Sequence, residues 1–354
     1  MSGLHAVKRV AYAFRSFLGT NGVAAQIGAI HDRVARLEAL LSRAAVPGDP
    51  ASPLPIGELE IYHGYSNADA DLLKRYVFKK AKPEKGFVVD FLGTRTSVAY
   101  QHGIKNLDGQ VCGVPIPANW HAEASEWIGT LKAVEQANGR FTAMELGAGW
   151  GPFVVASAFA ARHRGIQDIR LCAVEGDPGH FAYLLEHFRN NGIDPAQHDL
   201  VKAAVGVTDG TVRWPKISDP AGDWGSRPRL STEEGDIDHV GRAFEEWLDI
   251  PMVSFRSLLN KQPVWDLVHI DVQGHEVELC AAESELLSAR VKWLVVGTHE
   301  YKLHGDLMDM MFRKGWVLEN EKPPRLNWVQ GAVSLLSMTT HDGVQVWRNP
   351  ILTN

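Results

Sequence analysis

The residues best suited to chemistry are the acid and glycines of Glu145-Leu-Gly-Ala-Gly-Trp-Gly151 and, further on, the acid Glu175. The first group follows an apolar run, Phe141 to Met144, and precedes a longer one, Phe153 to Ala161. That order predicts a strand, a glycine-rich turn and a helix. Such a turn brings bare backbone and a helix N-terminus close to a ligand. The spacing is Gly-x-Gly-x-Gly, not the Gly-x-Gly-x-x-Gly that seats a dinucleotide pyrophosphate. An acid at the strand tip repels a pyrophosphate but suits a ligand carrying an ammonium and a sulfonium. The pattern therefore favours S-adenosylmethionine over a nicotinamide cofactor. A second apolar stretch from Ile169 ends in Glu175-Gly176-Asp177-Pro178, 24 residues after Gly151, room for one helix and one strand. A carboxylate there can accept both ribose hydroxyl protons. The expected donor-binding set is Glu145, Gly147, Ala148, Gly149, Trp150, Gly151, Glu175, Gly176 and Asp177. A merely structural turn and a solvated loop acid are the plain alternatives.

Two later strand ends supply acid–base groups: Asp271, His275 and Glu276 after one, His299 and Glu300 at the next. In-line transfer of a methyl group needs alignment, which alone supplies several kcal/mol. A hydroxyl acceptor also needs a base to take its proton. Histidine is best poised for that near neutral pH, so His275 or His299 is the expected base. Asp271 would position the donor ammonium or the acceptor, and Glu300 is a further catalytic candidate. The same five side chains could instead gather around Mg²⁺ and acidify the hydroxyl directly; the expectation is that no metal is used. For the acceptor, Trp120 and His121 lie in an aromatic, polar stretch, and Trp224 and Arg227 in a turn-rich one. Indole faces beside hydrogen-bonding groups suit a sugar, although Trp120 or Trp127 could equally be core. Arg227 and Arg229 would permit an anionic acceptor, phosphorylated or lipid-linked.

These blocks, in order, resemble the FkbM family of S-adenosylmethionine-dependent O-methyltransferases. The resemblance runs from Glu145 to Asn349 through Glu145–Gly151, Val174–Asp177, Ala203–Gly210, His269–Glu276 and Asp342–Pro350. The most specific block has the family pattern Lys-Ile-Asp-x-Glu-Gly-x-Glu; this chain carries His269 for the lysine and Gln273 for the second acid. The resemblance implies a seven-stranded sheet whose last strands form an antiparallel edge, and an adenine placed against Ala203–Val205, Ala204 included. It also implies that the acceptor is the hydroxyl of a sugar in a glycan, a lipopolysaccharide precursor or a glycosylated metabolite. Rival readings are a non-sugar metabolite as acceptor, or a non-catalytic S-adenosylmethionine-binding scaffold for glycan assembly.

Strands predicted at 141–146, 169–175, 199–206, 266–272, 292–298, 316–321 and 344–348 alternate with helices. That order calls for an α/β, Rossmann-like, mostly parallel sheet covered on both faces. The methyltransferase domain is expected over 138–354, with a lid-like insertion at 215–247. Ahead of it, 58–137 reads as an extension containing a strand at 58–62, a helix at 68–80 and another at 122–136. Residues 45–57 read as a Pro-rich linker. Residues 1–44 combine a basic amphipathic helix at 4–18, able to touch an anionic membrane face, with a short coiled-coil seam at 23–41 that could pair subunits. A net charge of −6 argues against nucleic-acid binding. Three scattered cysteines give no disulfide framework. With no bilayer-length apolar run and no secretory signal, the expected location is cytoplasmic.

Overall fold

The computed structural model describes residues 63–229, 244, 246–332 and 334–353. The helix at 4–18, the seam at 23–41, the linker at 45–57, the strand at 58–62 and most of the insertion beyond Arg229 lie outside the described residues.

The chain enters through helix α1 (Asn67–Arg75), whose N-cap is Ser66; Asp69 accepts the Ser66 amide at 2.9 Å. A two-stranded ribbon, β1 (Phe87–Val89) and β2 (Arg95–Ser97), leads to helix α2 (Ala124–Gln136). Lys132 of α2 reaches back to Asp69 at 3.0 Å, tying the two helices together. The central unit then alternates: β3 (Arg140–Leu146), α3 (Pro152–His163), β4 (Asp168–Glu175), α4 (Pro178–Asn190), β5 (Asp199–Lys202). Both α3 and α4 begin with proline at the first helical position, where its missing N–H costs nothing.

The apolar run predicted as one strand at 199–206 breaks in two. Lys202 ends β5 in the main sheet, while β6 (Ala204–Gly206) joins β7 (Gly210–Pro215) and β8 (Trp247–Ser254) in a separate three-stranded sheet, order β6-β8-β7. After it come α5 (Phe255–Leu259), β9 (Trp265–Ile270), α6 (Glu276–Ala282), α7 (Ser284–Arg290) and β10 (Val291–Thr298). The chain closes with α8 (Tyr301–Arg313), β11 (Val317–Lys322), a ribbon of β12 (Arg325–Leu326) and β13 (Thr339–His341), then β14 (Gly343–Arg348) and α9 (Pro350–Thr353).

Seven strands form the main sheet in the order β11-β14-β10-β9-β3-β4-β5. The pairings β10–β9, β9–β3, β3–β4 and β4–β5 are parallel. Strand β14 runs antiparallel to both its neighbours, so the last strand is the reversed one. This is the Rossmann-like methyltransferase arrangement expected from the sequence.

The central strands are apolar on both faces, as a sheet covered on both sides requires. Phe141, Ala143, Leu267 and Val295 pack with α2, α3 and α4 on one side. Met144, Val268 and Val296 pack with α5 to α8 on the other. Period-two alternation puts Glu145, Glu175 and His269 on the α2–α3 side. Trp127, expected as either core or acceptor contact, is 1% exposed and belongs to that same core. Among the described residues no helix is long and apolar enough to cross a membrane.

Candidate active site

A cavity of about 600 Å³ opens at the carboxyl ends of β3, β4, β9 and β10, where ligands of open α/β sheets bind. Glu145, Gly147, Ala148, Gly149, Trp150, Glu175, Gly176 and Ala204, the residues expected to hold a donor, are among its lining. Asp271, His275, His299, Trp120, His121 and Trp224 line the remainder.

The glycine turn is tight. Gly147 has φ +70°, and a Cβ there would sit 1.8 Å from the Asp271 carbonyl oxygen, so the crossing of the turn with the β9 loop demands glycine. Gly149 has φ +56° and lies beneath the Trp224 ring, which also stacks on His180 at 3.9 Å. Trp224 therefore covers the glycine turn. Gly151 does not line the cavity; it is the N-cap of α3 at φ +75°, and a Cβ on it would lie 2.4 Å from Leu184.

Beneath the turn, Glu145 accepts the Val154 amide at 2.8 Å and the Phe153 amide at 3.4 Å, at the positive end of α3. Glu175 accepts the Gly149 amide at 2.8 Å and the Asp177 amide at 2.7 Å. Burial dominates both carboxyls and pushes each up to about 7, against the pull of those amides. Asp177 departs from expectation. Its carboxylate accepts the Gly179 and His180 amides at 2.8 Å each, capping α4, and it lies outside the cavity lining.

Asp271, Glu276 and His299 meet below β9 and β10. His299 Nε2 stands 3.1 Å from Asp271 and its Nδ1 3.0 Å from Glu276. The Nδ1 approach is an ion-pair contact, off the line of a hydrogen bond. Glu276 is fully buried and also accepts the Val272 and Gly274 amides, at 3.1 and 3.0 Å. Burial works against charge on His299, but the two carboxylates outweigh it and hold its pKa well above the usual imidazole range. Atoms of these three side chains lie within 4.8 Å of one another, close enough to ligate an ion. The His299 ring stands between the two carboxylates, which favour its charged form.

His275 is differently held. Its Nδ1 faces Glu278 at 3.4 Å, while its Nε2 is buried without a partner on a side chain that lines the cavity. Because a carboxylate only accepts, Nδ1 is the donor in that contact. Glu300 occupies the N-cap position of α8 without a side-chain capping bond and does not reach the cavity lining. Arg227 also lies outside the lining; its guanidinium turns to the Gln273 carbonyl at 3.4 Å.

The two departures from the FkbM pattern have physical consequences here. Gln273, held at φ +57°, donates its amide to Asp271 at 3.0 Å, a contact that a glutamate could not make. His269 pairs with Glu126 at 3.2 Å, stacks on Phe153 at 4.1 Å and lies beside Glu145 in register. Burial opposes its charge, yet Glu126 and Glu145 raise its pKa. Glu126, Trp214, His180, Ser226 and Asp342 also line the cavity and were not singled out from sequence. Trp120 stacks on Trp150 at 5.7 Å, and His121, pushed down to about 3 by burial, is neutral beside them.

No profile of a known family matches the chain. It is 30% identical over 273 residues to a protein of Jannaschia sp. (strain CCS1) named "Putative methyltransferase", covering 77% of this chain and 95% of that one. Among solved structures it is similar to the C-terminal domain of precorrin-6Y C5,15-methyltransferase from Rhodobacter capsulatus: 11% identity, TM-score 0.35, 65% of this chain and 91% of that one. The O-methyltransferase from Bacillus cereus in complex with S-adenosylhomocysteine matches at 7% identity and TM-score 0.34, over 62% and 78% of the two chains. Methyltransferase FkbM from Methylobacillus flagellatus KT matches at 9% identity and TM-score 0.34, over 58% and 44%.

Proposed function

We propose that this chain, which belongs to the methyltransferases, transfers a methyl group from S-adenosylmethionine to a hydroxyl of a sugar-like acceptor. The observation that carries the reading is the union of the glycine turn, Glu145 and Glu175 in one cavity of ligand size. The residues fit the donor on three counts. Glycine backbone is bare where a side chain would clash. Two buried carboxyls stand ready for cationic and hydroxyl groups. The Trp214 indole N–H, the Gln101 oxygen and the Ser226 hydroxyl are buried around the cavity without partners. Glu145 would face the ammonium, Glu175 the ribose hydroxyls, and Ala203–Ala204 with Trp214 the base. When bound, the donor supplies a methyl group activated by its sulfonium.

The chain's own residues do the rest. Trp224 covers the turn and excludes water from it. Between the two candidate bases, the geometry favours His275. His299 is kept protonated between Asp271 and Glu276 and has no free lone pair to offer. His275 lines the cavity, its Nε2 has no partner and its Nδ1 is steadied by Glu278, so it would take the acceptor proton. Asp271, fixed by His299 and Gln273, orients the acceptor. The sugar, and kinship with FkbM proteins in particular, are supported by the Asp271-x-x-Gly274-x-Glu276 block and the indole wall.

His275→Ala tests the assignment. Turnover of S-adenosylmethionine with a responsive glycoside should fall at least about 100-fold, with donor affinity within a few-fold of the parent. Near-normal turnover in that variant would remove His275 from the mechanism.

A further inference from the structure

We propose that the acceptor part of this cavity takes a hydroxyl-rich ring bearing no anionic group, and turns away phosphorylated or carboxylated ones. The inference rests on the methyl-transfer reading above and narrows its substrate class. Beyond Glu145 and Glu175, which the donor would take, four acidic side chains line the cavity: Glu123, Glu126, Asp271 and Asp342. Among the described residues no lysine or arginine lines it.

The nearby cations are turned to other partners. Lys322 bonds Glu123 and the Asp342 carbonyl. Arg227 faces the Gln273 carbonyl, and Arg229 lies over the Trp247 ring at 5.7 Å. The two imidazoles with raised pKa are each matched to acids, His269 to Glu126 and His299 to Asp271 and Glu276. The balance facing a ligand is negative, in a site of low dielectric where like charges repel strongly. An anionic acceptor would meet that field with no lysine or arginine among the described lining residues to answer it. The arginines that looked able to receive a phosphate from their place in the sequence are not at the cavity wall.

An uncharged ring meets complementary groups instead. Carboxylates accept hydroxyl protons. On the opposing wall, the Nε1–H groups of Trp120 and Trp150 are buried without acceptors, Trp150 being only 7% exposed. Their indoles stack at an interplanar angle of 17°, presenting a wall for the C–H face of a ring. Ring oxygens would satisfy the two donors, and a buried donor left unmet is costly.

The test uses the full chain loaded with S-adenosylhomocysteine and a panel of methyl glycosides with their 6-phosphates and uronates. Binding is read by saturation-transfer NMR and titration. At least one uncharged glycoside should bind about tenfold or more tightly than its matched anions, a difference of about 1.4 kcal/mol. Asp342→Asn should narrow that ratio at least threefold. Equal or tighter binding of a phosphate or uronate, or silence from every uncharged member, overturns the proposal. Calorimetry of S-adenosylhomocysteine on the same sample separates the two readings: no uptake ends the methyl-transfer reading, while uptake with an anion preferred ends only this one.

Discussion

With Glu145 and Glu175 both pushed up to about 7 by burial, each is protonated about half the time at pH 7 in the donor-free chain. A cationic group brought next to Glu145 stabilises its charged form and lowers its pKa, typically by one to three units. Donor binding must then expel the proton. For one such group the binding penalty is a factor of about 2 at pH 7 and about 11 at pH 6, or about 0.4 and 1.4 kcal/mol. Affinity for S-adenosylmethionine should therefore weaken about fivefold between pH 7 and pH 6, and level off above about pH 8. The sign is consistent with stability. A carboxyl whose folded pKa is raised stabilises the empty fold fully below about pH 4.5, and that contribution is lost as pH rises through about 7. The assay is isothermal calorimetry at pH 7 in buffers of different ionisation enthalpy, repeated with Glu145→Gln. Release of about half a proton in the parent chain, reduced in the variant, is expected. A buffer-independent heat at pH 7, or an affinity flat from pH 6 to 8, would refute the placement of Glu145 beside the donor's charge.

Gly147→Ala should abolish donor binding and cost about 2–4 kcal/mol of stability, because its Cβ overlaps the Asp271 carbonyl and its φ is left-handed; a melting temperature within a degree of the parent would contradict this. His187, pushed down to about 4 by burial while its Nδ1–H donates to the Trp150 carbonyl, contributes stability that is present above about pH 6.5 and lost as pH falls toward 4. The loss is roughly 3 kcal/mol. Since Glu145 and Glu175 shift stability the other way over the same range, the check is the difference between denaturant melts at pH 7 and pH 4.5 in the parent and in His187→Gln. The variant should lack most of the His187 loss, and an identical pH dependence in both would contradict it. Methyl transfer should persist within about twofold after exhaustive EDTA treatment, since His299 occupies the centre of the Asp271–Glu276 pair. Loss of activity restored by Mg²⁺ would instead make those side chains metal ligands.

Local patterns made the core legible. Glycines between two apolar runs, with Glu145 ahead and Glu175 one βα unit later, were enough to place the turn and the cavity mouth. The Asp177-Pro178 pair was itself a readable helix-start signal, and it explains why that carboxylate serves a cap instead of a ligand. The break between Lys202 and Ala204 was not legible, because an apolar run carries no mark of the sheet in which each half pairs. Contacts made at long range were equally hidden. Glu126 meets His269 across 143 residues, and Trp224 reaches Gly149 from an insertion whose path no local pattern fixes. The same holds for Arg227. Its sequence context shows a charge near the ligand edge, whereas only the fold shows it turned to the Gln273 carbonyl.

The most direct measurement is a structure of the chain crystallised with S-adenosylhomocysteine. The account predicts the ligand over Gly147 to Gly149, its amino group toward Glu145 and its ribose on Glu175. A ligand bound elsewhere, with that turn and both acids untouched, would contradict it.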